Sequence, residues 1–332
     1  MYTDEDLNTA VESGIFSQNS VEAFREQVSQ LQNTVAVDEE NFRLISGFND
    51  VFVVIASGLL LVSITWLGAK IHPMAGALGL AAASWLLAEF FVLKRRMALP
   101  AIALLLTFLG GIFAAPLAFN EHPNEVSFVI SGILTAIAAR LHWTRFRVPI
   151  TVAAGTAAGL ACIVAIVVSA YPYARTWLLP MMFFAGIITF AIAMYWDAAD
   201  RSRQTRNSDV AFWLHLVSAP MIVHPIFSSL GILQGVESLS SSLIVVALYI
   251  GLAMISIAVD RRAIMVSALV YVIYAFASLL ENYGMISYSF AVTGVCIGAS
   301  LLLLSAFWQN SRRTVLKIVP EPVQSHLPLL KA

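Results

Sequence analysis

The segment VFVVIASGLLLVSITWLGA, Val51 to Ala69, runs for 19 residues without one charged side chain. As a helix rising 1.5 Å per residue it is long enough to cross a hydrocarbon core of ~30 Å. Nine comparable stretches follow, near 73–93, 99–119, 126–142, 149–170, 177–196, 210–230, 242–259, 264–281 and 286–308. The expected fold is therefore all-α: a polytopic transmembrane helix bundle of about ten spans, occupying residues 51–308.

Charge placement tests this threading. With the N-terminus inside, 17 of the 19 basic residues fall on the cytoplasmic side, and only Lys70 and Arg175 lie opposite. Positive residues concentrate in cytoplasmic loops, and one missed or invented span would scramble the pattern. Both termini are thus expected in the cytoplasm. Trp66, Trp143, Trp177, Trp196 and Trp308 sit near the span ends, where aromatic belts belong.

Composition agrees. Of 332 residues 59% are hydrophobic and 12% charged, about half the usual charged share. The mean hydropathy is +0.81. These values exclude nucleic-acid readers, secreted disulfide scaffolds and ordinary cytosolic enzymes. A net charge of −1 argues against a large electrostatic partner surface. Cys162 and Cys296 both lie in apolar runs, so no disulfide framework or thiolate metal site is expected.

Residues 1–37 read as a soluble cytoplasmic helical hairpin. The first 40 residues carry nine acidic side chains against Arg25 alone, which is not a secretory signal. Thr3 is placed to cap a first helix, with Leu7, Ala10 and Val11 as its apolar stripe and Gly14 at its end. Asn19 or Ser20 then caps a second, on which Val21, Phe24, Val28 and Leu31 recur at helical spacing. This pair reads equally as a solvated appendage and as a docking module for a protein partner. Residues 38–50, with Phe42, Ile45 and Phe48 on one face, read as an interfacial helix. Residues 309–332 form a basic, then proline-containing tail expected along the inner headgroups.

Basic clusters at Arg43, Arg96, Arg147, Arg206, Arg262 and Arg313 recur about every fifty residues. Each interval holds an outward and a returning helix, which reads as five hairpin repeats. Bilayer thickness alone also imposes this period.

Chemical motifs are few. There is no phosphate-binding P-loop, no zinc-protease helix and no nucleophile elbow, so no catalytic, cofactor or metal residues are assigned. Gly155 and Gly159 form a G-x-x-x-G suited to helix packing. The seventh span carries His215 and His224 beside Pro220 and Pro225, each of which removes an amide donor and is expected to break or bend the helix. Buried ionisable groups in membranes mark ion or proton sites by default, although a neutral histidine is satisfied by one hydrogen bond. Glu89 is the only acid well inside an expected span, paired with Arg95 or Arg140 on the structural reading. With Arg140, His142 and Asp209 it is expected to line a cytoplasm-facing polar pocket with His215, and with His224 deeper in.

Two further features carry a resemblance. Gly14-Ile15-Phe16-Ser17 forms the turn of the acidic helix pair, and Ser208-Asp209-Val210-Ala211-Phe212-Trp213-Leu214-His215-Leu216 leads into Ala219-Pro220-Met221-Ile222-Val223-His224-Pro225. With the Arg-Arg and Ala-Leu-Pro joints, the chain resembles uncharacterised bacterial polytopic inner-membrane proteins of the domain-of-unknown-function type. The resemblance implies a bacterial inner membrane and brings no activity with it.

Two functions are expected on these grounds. The first is a transporter or permease for a small solute or proton, favoured by ten spans and a polar, proline-bearing helix. The alternative is a non-catalytic scaffold, assembly factor or sensor that docks partners through its N-terminal helices. No catalytic set recommends an enzyme.

Overall fold

The computed structural model describes residues 4–31, 48–119, 122–201, 203, 205–231, 239–282 and 289–329. All regular structure among them is helical. Helices α1 (Asp4–Glu12) and α2 (Gln18–Leu31) precede α3 (Phe48–Ile71), α4 (Pro73–Ala88), α5 (Ala98–Leu117), α6 (Glu125–Phe146) and α7 (Ile150–Ala170). Then come α8 (Leu178–Ala199), α9 (Arg206–Ser229), α10 (Leu239–Val259), α11 (Ala263–Asn282), α12 (Ser289–Ala306), α13 (Trp308–Leu316) and α14 (Glu321–Gln324).

Among the described residues seven segments are long and apolar enough to cross a membrane: Phe48–Ile71, Pro73–Lys94, Ala98–Leu117, Glu125–Phe146, Ile150–Ala170, Pro172–Ala199 and Arg206–Ser229. The remaining three expected spans are also helical, as α10, α11 and α12. Their described apolar stretches are shorter, at Leu243–Val259 and Ala263–Ala277, and Ala291–Ala306 meets Trp308–Leu316 at 77°. Large apolar side chains stay exposed along the bundle; Leu59, Trp66 and Leu67 of α3 are each more than 60% exposed. A lipid-facing helix needs that surface, and a water-facing one would not keep it.

At the N-terminus, Ser17 caps α2 in place of the expected Asn19 or Ser20, its Oγ accepting from the Ser20 N–H at 3.2 Å. Gly14 ends the α1 turn at φ +70, a left-handed conformation that glycine takes without a Cβ clash. Arg25 donates to Asn8 Oδ1 at 3.2 Å and ties α2 to α1. Thr3, and most of the expected interfacial helix at 38–50, lie outside the described residues.

Four tight turns sit at the arginine-rich end, and each turns on a non-glycine residue at positive φ: Arg96 (53°), Arg147 (55°), Arg203 (56°) and Asp260 (60°). A left-handed L-residue costs about 1–2 kcal/mol, so its recurrence 51, 56 and 57 residues apart marks a common joint. Each helix from α4 to α11 packs more extensively on the partner joined to it there than on its chain neighbour at the other end. The packing unit is therefore the hairpin closed at the basic end. This is the opposite phase to the outward-and-return pairs suggested by the spacing of basic clusters.

α8 and α9 approach each other closely at Gly186 of α8. A Cβ built there would lie 2.9 Å from the Met221 carbonyl carbon and 2.9 Å from the Ile222 side chain of α9. Of the two glycines expected to pack, Gly155 fits, since its Cβ would meet Ala139 at 3.1 Å. Gly159 faces open space and takes no part in a helix contact. Gly186→Ala should lower stability in detergent by about 1–3 kcal/mol through overpacking, despite alanine's better helix propensity. Gly159→Ala should leave stability unchanged or raise it by up to ~1 kcal/mol. Thermal unfolding of the two variants beside the parent chain checks both.

Candidate functional site

α8 runs to Ala199, three residues beyond the span end expected at 196, and so carries Asp197 into the bundle. The Asp197 carboxylate is 0% exposed. Its Oδ2 lies 2.8 Å from His215 Nε2 of α9. Arg261, from the α10–α11 turn, donates Nη2 to Oδ1 at 2.6 Å and Nε to Oδ2 at 3.3 Å. Nη2 of Arg261 also reaches the carbonyl and hydroxyl of Ser208 at 3.1 and 3.3 Å. The Ser256 hydroxyl donates to the Arg261 carbonyl at 2.6 Å, closing the turn from behind. Forked arginine–carboxylate contact of this kind fixes orientation as well as charge.

Next to it stands a second cluster centred on Asp260. Arg203 Nη1 is 2.9 Å from Asp260 Oδ2, and its Nη2 donates to the Asp260 carbonyl at 2.8 Å. Trp308 donates its indole N–H to Oδ1 at 2.6 Å, and Arg312 approaches Oδ2 at 3.5 Å. Burial pushes the Arg203 guanidinium down from its ordinary value, nearby Arg261 adds to that, and Asp260 opposes it. Asp200 is buried too and accepts from the Thr205 N–H and hydroxyl at 2.8 and 2.7 Å. Three buried aspartates, Asp197, Asp200 and Asp260, thus match three buried arginines, Arg203, Arg261 and Arg312. Charges removed from water need such balance, since a lone one costs several kcal/mol.

The C-terminal tail completes the assembly. Arg312 donates to the Pro328 and Leu329 carbonyls at 2.6 and 3.1 Å, and Arg201 to the Leu327 carbonyl at 2.8 Å. The Leu329 N–H returns a bond to the Arg201 carbonyl at 3.2 Å. Through Leu329 the tail is folded onto the basic end, held by backbone carbonyls, where a headgroup-lying segment was expected. Trp308 likewise leaves the aromatic belt expected for it: it is 2% exposed and spent on Asp260.

The residues expected to share one polar pocket fall into separate constellations. Glu89 opens a π-helical turn, Glu89–Lys94, at the end of α4 and takes a forked pair from Arg145 at 2.9 and 2.7 Å; neither Arg95 nor Arg140 is its partner. His142 is buried against Phe108, Phe146 and Trp85, with Nδ1 3.2 Å from the Thr151 hydroxyl. His215 belongs to Asp197, and His224 meets the Tyr271 hydroxyl of α11 at 2.5 Å. Asp209 is half-buried in the first turn of α9, next to Ser208. Arg140 is exposed on α6 and makes no hydrogen bond or ion pair with any described residue. No hydrogen bond joins Glu89, His142 and His215 to one another.

α9 runs as one helix from Arg206 to Ser229 through Pro220 and Pro225, so of the expected break or bend at Pro220 the break does not occur. Each proline removes one donor, and the remaining ladder carries the helix; Ser218 adds a bond to the His215 carbonyl at 3.1 Å. Among the described residues no group of three His, Cys, Asp or Glu side chains is placed to hold a metal ion. No protein-family model, curated protein or solved structure matches the chain.

Removing one member of a buried ion pair strands the other, which typically costs ~3–5 kcal/mol, whereas replacing both by apolar residues of similar volume is often neutral. Asp197→Leu and Arg261→Met should each destabilise the full chain in detergent by roughly that amount. The double variant should lose far less than the sum of the two, and a double-mutant cycle on unfolding midpoints measures the difference.

Proposed function

We propose that this chain is a multi-pass inner-membrane scaffold or sensor, with both termini cytoplasmic and ten spans, that recruits a protein partner through its N-terminal helices. The observation that carries this reading is an apolar groove of roughly 310 Å³ on α1 and α2, lined by Leu7, Phe16, Ser20, Val21 and Phe24. Beside it Ile15 is 70% and Phe16 50% exposed. An apolar slot in a segment with nine acids and one arginine suits a basic amphipathic helix laid into it.

The permease reading rests on a different observation. His215 lies wholly buried against Asp197, with Nδ1 lacking a partner among the described residues, an arrangement suited to holding a proton. It ranks second because Glu89 and His215, whose shared pocket favoured transport, each have a partner of their own.

Deleting residues 1–31 should leave a chain that inserts and stays monodisperse, yet loses a protein that co-purifies with the full chain in mild detergent. Mass spectrometry of the bound material decides between the readings. A partner lost on deletion and on Phe16→Asp supports the scaffold; a bound small solute that survives deletion and is lost in His215→Ala supports the permease.

The ten-span threading makes its own prediction. Reporter fusions after Asn120 and after Glu237 should read as external, and one after Asn207 as cytoplasmic. A cytoplasmic reading at either of the first two would falsify it.

A further inference from the structure

Beside the sealed clusters lies a groove of a different kind, about 320 Å³, between α6, α7 and the end of α8. Its floor is small: Ala136 on α6, Gly155 and Thr156 on α7. Its mouth is flanked by Trp143 of α6 and Trp196 of α8, and Arg140 is the only charged side chain lining it among the described residues. Arg147 stacks over the Trp143 ring at 5.6 Å, adding a second cation at the same mouth.

Arg140 stands six residues before the end of α6, or about 9 Å along the helix axis at 1.5 Å per residue. There it is exposed on a helix whose neighbouring outward side chains, Ile133, Leu134, Ile137 and Leu141, are apolar and exposed as well. A guanidinium at that depth, without a carboxylate partner among the described residues, is costly unless an anion comes to it. The usual anion at the edge of a bilayer is a lipid phosphate, which arginine takes with its forked donors. Tryptophans prefer the same headgroup level, and the small-residue floor leaves room for a chain of methylenes.

We propose that this groove binds one anionic glycerophospholipid, its phosphate on Arg140 between Trp143 and Trp196 and one acyl chain along Gly155 and Thr156. Two arginines at the mouth and no acid in the lining favour an anionic headgroup over a zwitterionic one. The bound lipid supplies the counter-charge that Glu89 supplies to Arg145 elsewhere on the same helix. The site is independent of the partner-docking groove on α1 and α2.

The test is native mass spectrometry of the full chain purified in mild detergent and titrated with dioleoyl phosphatidylglycerol, with dioleoylglycerol as the probe lacking a phosphate. The parent chain should retain one phosphatidylglycerol and no dioleoylglycerol. Arg140→Gln should weaken retention about tenfold, the scale of a charge-assisted hydrogen bond, and Arg140→Lys by less. Thr156→Phe, which fills the floor without touching charge, should abolish retention. Arg140 holds no other side chain among the described residues, so Arg140→Gln should unfold at the parent's temperature in lipid-free detergent. Equal retention by Arg140→Gln and the parent would overturn the proposal and leave Arg140 hydrated at the interface. Equal retention of dioleoylglycerol would overturn it as well, making the groove an apolar slot without a phosphate site.

Discussion

A carboxylate enclosed among helices has to be matched where it stands, and Asp197 is matched by Arg261 and by His215 at once. The three residues come from α8, from α9 and from the turn between α10 and α11. The ion pair therefore ties together two basic-end hairpins that share no backbone hydrogen bonds among the described residues. The packing of α8 on α9 is consistent with it. Gly186 lets α8 close onto α9, and Ser208 positions the first turn of α9 under the same guanidinium. Apolar contacts alone would tolerate sliding between such helices, since lipid is as apolar as the interface. Charge in a low-dielectric site does not tolerate it.

Asp260 extends the constraint to the C-terminus. It occupies a left-handed turn next to Arg261 while accepting from Trp308 and pairing with Arg203. Arg312 then carries the connection to the carbonyls of Pro328 and Leu329. Backbone strain at Asp260 and Arg203 is offset where their side chains bond each other. The result is one polar layer at the basic end, buried at its centre and covered by the tail. Such a layer serves a scaffold as a rigid base, and would serve a permease as a closed gate.

Much of the helical layout was legible from apolar length alone, because bilayer thickness and the 1.5 Å rise dictate it. The α1–α2 turn at Gly14 was legible too, since a left-handed position calls for glycine. The clusters were not. Counting arginines as loop charges treats Arg203, Arg261 and Arg312 as solvated, whereas each is at most 8% exposed. A span end placed at 196 left Asp197 one residue outside, and so Glu89 looked like the only buried acid. The available signal was the pairing of acids with those arginines, Asp197 and Asp200 before Arg201 and Arg203, and Asp260 before Arg261. Histidine misled in a similar way. His142, His215 and His224 share a residue type but not a setting, since an aromatic cluster with a threonine hydroxyl, a carboxylate and a phenol face them in turn.

The central claim is that the basic end, from the last turn of α8 to Leu329, is a single locked layer. Hydrogen–deuterium exchange on the full chain in lipid nanodiscs tests it directly, because these amides lie at the water-facing end where exchange is readable. Amides around Asp200–Thr205, Asp260–Arg262 and Gln324–Leu329 should exchange together and slowly, and Asp260→Asn should release all three groups at once. Rapid exchange of the tail while the turns stay protected would contradict the account.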